Sequence, residues 1–183
     1  CKSEILDGVQ VFRAPLFPSH DKSTFKRVIT YLTFSISSFL IGISLSKKVD
    51  LIYAYHPPNV GLVAYFLSRI RKIPYVHDVQ DLWPDTFLST STIKRKNVLN
   101  LIDFFTRFIY KKASSIIVIS PGFKKKLIER GIREDKIEMI YNWCDEKNIN
   151  NLKESKKNIL PKDKFNIVFA GNMGNAQDLK FVM

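Results

Sequence analysis

Short apolar runs alternate with longer segments of helical periodicity along most of the chain. The apolar runs predict strands at residues 8–13, 50–55, 73–79, 115–119, 136–140 and 165–171. The segments between them predict helices at about 24–46, 60–71, 96–112 and 123–130. Because strands alternate with helices and several strands are apolar throughout, we predict an α/β fold, a doubly wound, parallel, Rossmann-like sheet.

A change in composition divides the chain towards its C-terminal end. Residues 148–164 are polar and rich in Lys and Asn, and a fresh apolar run follows at 165–171. We therefore predict a first domain over residues 1–147, a linker over 148–164, and the start of a second α/β domain over 165–183. In that last segment a strand opens onto a Gly-containing loop, which is how such domains begin a phosphate site.

Composition limits the class of protein. The chain has 183 residues, 45% of them hydrophobic, which is enough for a sizeable core. Its two cysteines, Cys1 and Cys144, are too few and too far apart for a disulfide framework or a Cys-based zinc cluster, so we expect a reduced cytosolic setting. The formal net charge of +12 favours a nucleic acid, an anionic membrane or a phosphorylated substrate, although a solvated Lys-rich surface also explains it.

One predicted helix is unusually apolar. Residues 28–45 form a run of 18 positions without a formal charge, the length of a marginal membrane span. Six Ser and Thr residues and Gly42 interrupt this run, so we predict a buried or membrane-facing helix of a soluble domain. Basic residues at 26–27 and 47–48 would then contact lipid head groups. An integral membrane protein anchored by residues 28–45 is the alternative.

Polar residues follow the predicted strands at their carboxyl ends, where an open parallel sheet binds its ligands. They are His56, Asn59, Gln80, Asp81, Asp85, Ser120, Asn142, Asp145, Gly171, Asn172 and Gly174. Each of these residue types is also common in turns, but their repetition at strand ends favours one shared cleft.

The segment from Asp78 to Asp85, DVQDLWPD, is the densest of these groups. It places three carboxylates, a Gln and a Trp within eight residues at a strand end. Asp78 lies on the strand and needs a partner if it is buried. Asp81 is the better candidate for a general base, because a strand-end carboxylate can reach a substrate hydroxyl.

Four segments of the chain resemble, in order, those of retaining glycosyltransferases with the GT-B fold. They are LIYAYHPPNVGLVAYFLSRIRKIP (51–74), IPYVHDVQDLWPD (73–85), SSIIVISPGFKKKLIERGIREDKIEMIYNWCD (114–145) and FNIVFAGNMGNAQDL (165–179). The subgroup that they suggest is the bacterial family 4 enzymes of O-antigen and capsule synthesis, including the fucosaminyltransferase-like branch. The resemblance covers essentially the whole chain.

The resemblance implies two Rossmann-like domains that face each other across a cleft. Residues 1–147 correspond to the acceptor-side domain without its first strand, and residues 165–183 to the first strand and Gly loop of the donor-binding domain. Transfer in the family retains the anomeric configuration. The paired-Glu motif that grips the donor is not among these residues, so we expect the fragment alone to be inactive.

The resemblance also assigns roles to the strand-end residues. Aligned by Pro74, Gln80 takes the place where the wider family often has His, whereas His77 lies inside the strand and is predicted to be structural. We predict three groups: catalytic residues Asp81, Gln80 and His56; acceptor-binding residues Asn59, Trp83 and Asp85; and donor-phosphate contacts Gly171, Asn172, Gly174 and Asn142.

The same resemblance implies the partners. They are a nucleotide-sugar donor, namely a UDP-sugar, and a polyprenyl-diphosphate-linked sugar acceptor. The resemblance also implies no metal or other cofactor, with which the three scattered His residues are consistent. We expect no nucleic acid, since the aromatic residues are buried by pattern. The basic surface would then meet an anionic cytoplasmic membrane, which places the protein in the cytoplasm, peripheral at the inner face of the plasma membrane.

Two other functions fit the same architecture. A GT-B-like sugar-nucleotide epimerase would carry catalytic acids in its cleft and would release free sugar. A non-enzymatic, basic α/β domain would bind the membrane surface without transferring anything.

Overall fold

The computed structural model describes residues 2–18, 24–89, 95–144, 146, 160–161, 163–171 and 179. Contacts divide the chain into two units, Cys1–Tyr141 and Asn142–Met183. Among the described residues, the strands and long helices lie in the first unit. They are β1 (Lys2–Leu6), β2 (Val9–Arg13), α1 (Thr24–Leu45), β3 (Ile52–Tyr55), α2 (Pro58–Arg71), β4 (Tyr75–Val79), α3 (Asp85–Ser89), α4 (Lys96–Lys112), β5 (Ser115–Val118), α5 (Pro121–Glu129) and β6 (Ile137–Met139), with 3-10 turns at Ser46–Lys48 and Glu134–Lys136.

Four strands form one parallel sheet in the order β3-β4-β5-β6. Each crossover contains helix: α2 joins β3 to β4, α3 and α4 join β4 to β5, and α5 joins β5 to β6. This arrangement confirms the predicted α/β fold with a parallel, Rossmann-like sheet. The boundary predicted near residue 147 stays a prediction.

One face of this sheet forms the core. The register aligns Ala54, His77, Ile116 and Ile137 across the four strands, and each is at most 3% exposed. Side chains alternate between the two faces of a strand, so the neighbouring positions face the other way. On that second face Tyr53 remains 54% exposed.

A close contact in the core joins α2 to β4 and α4 at Gly61. A Cβ atom at this position would lie 2.6 Å from Ile109 Cγ2 and 2.7 Å from His77 Cε1. The absence of a side chain therefore lets α2 lie directly on the imidazole.

His77 belongs to the core, as predicted for a strand-interior residue. It is fully buried, and neither ring nitrogen has a hydrogen-bond partner among the described residues. Burial lowers the pKa of His77 to about 4, so the imidazole is neutral at pH 7.

Helix α1 uses its hydroxyl side chains to bind the extended segment that follows β2. Thr30 Oγ1 donates to Phe17 O at 2.9 Å, and Phe17 N donates to Thr33 Oγ1 at 3.1 Å. Ser37 Oγ donates to Pro15 O at 2.5 Å. Three of the six Ser and Thr residues that interrupt this apolar helix thus bind the segment that follows β2.

Helix α1 also packs against α2. A Cβ at Gly42 would lie 2.6 Å from Leu67 Cδ1, and Asn59 Nδ2 donates to Ser35 Oγ at 3.0 Å. Within Phe25–Lys48 an 18-residue window has a mean hydropathy of 1.8, so by length and composition alone this helix is suited to cross a membrane.

The structure differs from the predicted elements in two places. A hairpin forms at the start of the described chain, because Asp7 and Gly8 both adopt positive φ (48° and 82°) and connect β1 to β2. Helix α3 was not predicted. Residues 165–170 have no regular secondary structure and pair with no strand among the described residues, so the strand predicted at 165–171 stays a prediction.

We predict that Gly61→Ala destabilises the first unit by roughly 1–3 kcal/mol, because the added methyl group overpacks the contact with His77 and Ile109. Gly122→Ala in α5 is the matched control, since its Cβ would meet only Ser120 Oγ, at 3.8 Å. In the control the better helix propensity of Ala should leave stability unchanged or higher. Urea unfolding measures both, and equal stability of the two variants would contradict the tight contact.

We also predict that the free energy of unfolding falls as pH is lowered from 6.5 to about 4. In this window the unfolded chain takes up a proton at His77 that the folded chain excludes, which costs on the order of 3 kcal/mol of stability. His77→Phe should keep the shape of the ring and flatten this pH dependence. Urea titrations at several pH values measure it, and an unchanged slope in the variant would sink the assignment.

Candidate functional site

The candidate site lies where β3 and β4 end at the same edge of the sheet. His56 directly follows β3, and its backbone N–H donates to Asp78 O at 3.1 Å, which continues the pairing of the two strands. Asp81 follows β4 by two residues. This geometry brings His56 Nε2 to 3.2 Å from Asp81 Oδ2.

The two members of this pair differ in exposure. The His56 side chain is 14% exposed, whereas that of Asp81 is 54% exposed. Burial lowers the pKa of His56 and outweighs the opposing effects of Asp81 and Asp78. A neutral imidazole therefore orients a carboxylate whose remaining oxygen is open to a ligand.

Asp78 is buried, at 5% exposure, and has the partners that its burial requires. The Tyr53 hydroxyl donates to Oδ2, and Gln80 Nε2 donates to Oδ1 at 2.7 Å. Partial burial, together with the hydrogen bond and charge of Asp78, raises the pKa of Tyr53 to about 12. The Gln80 amide is thus held by Asp78 rather than by Asp81.

Trp83 lies in an aromatic cluster beside the pair. Its ring is edge-on to His56 at 5.8 Å, to Tyr31 of α1 at 6.4 Å and to Phe87 of α3 at 4.6 Å between centroids. Behind it a cavity of about 220 Å³ extends between α2 and α4, lined in part by Asn59. Trp83 therefore connects the polar pair to an apolar cavity.

Arg130, at the end of α5, holds the loop that carries Trp83. Its Nη1 donates to Trp83 O at 2.8 Å and its Nη2 lies 2.6 Å from Asp85 Oδ1. The Arg130 side chain is only 10% exposed. Asp85, which we predicted to bind the acceptor, thus has a structural partner within the first unit.

The structure brings together only some of the predicted residues. His56, Asp81 and Trp83 form one cluster with Asn59 behind it, whereas Gln80 and Asp85 are bound to Asp78 and Arg130. Ser120 accepts from Phe123 N at 3.3 Å and caps α5. The predicted roles of all these residues stay predictions.

The donor-side residues belong to the second unit. Asn142 and Gly171 are exposed, and Asn172 and Gly174 lie outside the described residues. In the part of the chain that is described, no three His, Cys, Asp or Glu side chains are grouped as metal ligands.

Sequence reasoning missed Arg130, Tyr31 and Tyr53. The Arg130 contact to Trp83 spans 47 positions, and nothing local in the sequence marks it. Tyr53 alone carried a signal, because the register of neighbouring parallel strands places it on the same face as Asp78.

We predict that Asp85→Asn destabilises the protein by about 1–2 kcal/mol, because it leaves the nearly buried Arg130 guanidinium without its counter-charge. Glu129→Gln is the control, since its 3.8 Å pair with Lys126 is half exposed and should contribute less than about 0.5 kcal/mol. Denaturant unfolding followed by Trp83 fluorescence, with Trp143→Phe as background, measures both. Equal effects would argue against a structural role for the Arg130 contact.

The similarity of the chain to known proteins identifies its family. Residues 4–143 match the family described as Glycosyl transferase 4-like domain. The chain is 26% identical to WcaI of Escherichia coli (strain K12), a protein named for glycosyl transfer in colanic acid biosynthesis. That match covers 94% of the chain and 45% of WcaI, so the chain spans about half the length of this relative.

Two crystal structures of Anabaena Alr3699/HepE show a weaker likeness. The UDP-glucose complex has a TM-score of 0.48 and 21% identity, over 60% of this chain and 27% of that one. The UDP complex has a TM-score of 0.47 and 20% identity, over 61% and 28%. The family assignment rests on the match over residues 4–143, which covers most of the first unit and confirms the predicted family. The chain belongs to the glycosyl transferase 4-like domain family.

Proposed function

We propose that the chain supplies the acceptor-binding domain of a retaining glycosyltransferase in bacterial surface polysaccharide synthesis. The enzyme moves a hexose or N-acetylhexosamine from a nucleotide-sugar to a hydroxyl of a lipid-linked glycan. The observation that carries this proposal is the His56–Asp81 pair beside Trp83, at the ligand-binding edge of a parallel sheet, in a chain of this family.

Asp81 is the residue that contacts the acceptor hydroxyl. Its carboxylate is more than half exposed, and His56 fixes one of its oxygens, so the other accepts the hydroxyl proton in a defined direction. His56 acts as a neutral donor, because burial lowers its pKa. Trp83 supplies an apolar surface beside the sugar.

The donor side of the proposal rests on the family and on sequence. A glycosyltransferase needs an activated sugar, and we propose a UDP-sugar whose phosphates meet the backbone at Gly171, Asn172 and Gly174, with Asn142 nearby in sequence order. The reaction as proposed uses no metal. A polyprenyl-diphosphate acceptor would hold the enzyme at the inner face of the plasma membrane.

We predict that Asp81→Asn weakens binding of a short-chain polyprenyl-diphosphate-linked sugar to this chain about tenfold, because a charge-assisted hydrogen bond is lost. Asp135→Asn is the control, since it changes another exposed carboxylate, 3.4 Å from Arg133. Isothermal titration measures both. In a longer form of the protein with the donor-binding half, Asp81→Asn should also lower kcat by about 10²–10⁴.

Three results would contradict the proposal in different ways. Unchanged binding and transfer in Asp81→Asn would remove Asp81 from the site but keep the function. Release of free sugar without extension of the lipid would favour the epimerase. Failure of the longer unsubstituted protein to transfer sugar from any nucleotide-sugar donor would remove the enzymatic function.

A further inference from the structure

Helix α1 turns four of its hydroxyl side chains towards protein and a row of apolar side chains outward. Three of these hydroxyl groups form hydrogen bonds with residues 15–17, and the fourth, Ser35 Oγ, accepts from Asn59 Nδ2. The outward row repeats every four residues and consists of Val28, Leu32, Ile36 and Leu40, which are 46%, 57%, 60% and 62% exposed. This is the reverse of the arrangement in an ordinary surface helix, whose apolar stripe faces the core.

The apolar surface continues from α1 onto α2. A groove of about 420 Å³ lies between the two helices, and Ile36, Phe39 and Phe66 are among its lining residues. Phe66 is 48% exposed and Ile70 is 52% exposed. We call the surface formed by Val28, Leu32, Ile36, Leu40, Phe66 and Ile70 the α1–α2 face. An apolar surface this continuous marks an interaction site.

The charge around this face has one sign. Between Thr24 and His77 the sequence contains seven Lys and Arg residues and a single acidic residue, Asp50. The basic residues stand at the ends of the two helices, and exposed ones include Arg27, Lys48 and Lys72. An apolar surface bordered by cations is complementary to a bilayer that has an apolar interior and anionic head groups.

We infer that the α1–α2 face is a docking surface for an anionic lipid bilayer, with α1 lying in the plane of the interface. Helix α1 does not span the bilayer, because spanning would break its side-chain hydrogen bonds to residues 15–17 and its packing on α2, and would expose those polar groups to hydrocarbon. The inference goes beyond sugar transfer, and its test needs no donor or acceptor sugar.

Co-sedimentation of the 183-residue chain with vesicles tests the face directly. The chain should bind phosphatidylglycerol-containing vesicles more tightly than phosphatidylcholine vesicles, and high salt should weaken this binding. Ile36→Glu should lower partitioning about tenfold, because it places a charge in the apolar row. Ile128→Glu is the control, because Ile128 is also exposed, at 38%, but lies on α5.

The basic residues at the ends of α1 and α2 are tested in the same way. Lys48→Glu should lower binding to anionic vesicles about tenfold and leave the weak binding to phosphatidylcholine unchanged. Lys125→Glu on α5 is the control with the same change of charge. Circular dichroism checks that each variant folds, and Leu40→Glu replaces Ile36→Glu if that variant does not. Binding that is absent, or that Ile128→Glu and Ile36→Glu lower equally, would overturn the inference.

Depth measurements separate a helix that lies in the interface from one that spans the bilayer. Spin labels at Val28→Cys and Leu40→Cys, with Cys1→Ser and Cys144→Ser as background, are about 18 Å apart along the helix. Equal and shallow depths, roughly 5–10 Å below the head groups, support the inference. A depth difference near the full separation would show a spanning helix, and a lipid-free dimer that Ile36→Glu dissociates would show a second copy as the partner; either result overturns it.

Discussion

The contact of Gly61 with the His77 imidazole is the constraint on which the first unit depends. This contact brings α2 onto β4, and the Ile109 side chain of α4 packs against the same glycine. The Ile109 carbonyl oxygen also accepts a hydrogen bond from the Tyr75 hydroxyl of β4 at 2.6 Å. Two crossover helices and a central strand are thereby fixed at one point. Because α2 begins at Pro58, this point also sets the position of His56 at its start. A buried, neutral His is what this packing requires, since a charged imidazole would have no partner there.

The three carboxylates between Asp78 and Asp85 have three different environments. Asp78 is buried and shared by Tyr53 and Gln80, and Asp85 is bound to a nearly buried Arg130. Only Asp81 is both oriented, by His56, and open on its other side. The three carboxylates look alike in the sequence, but two of them, Asp78 and Asp85, stabilise the loop, and only Asp81 can bind a ligand. The candidate for proton transfer is therefore a single atom, the Asp81 carboxylate oxygen that His56 does not contact.

Much of the fold was predictable because its signals are local. Helix α4 has the predicted bounds, Lys96–Lys112, since its apolar spacing is regular, and the strand-end positions of His56 and Asp81 follow from the alternation of elements. The Asp7-Gly8 turn also carried a local hairpin signal that the prediction did not use. Arg130 could not be predicted, because its partners are distant in sequence. The strand predicted at 165–171 depends on partners in the same way, because an apolar run becomes a strand only with a pairing neighbour, and the described residues contain none for it.

Helix α1 shows why hydropathy alone cannot decide between a membrane span and a soluble helix. Its mean hydropathy suits either, and its Ser and Thr residues look like mere interruptions. The hydrogen bonds give these residues a direction, because Thr30, Thr33 and Ser37 all point at the segment that follows β2. A helix whose polar groups are satisfied on one side by its own domain has only the other side left for lipid. The apolar residues of α1 are therefore sufficient for a surface contact, whereas a span would need hydrocarbon on every side of the helix.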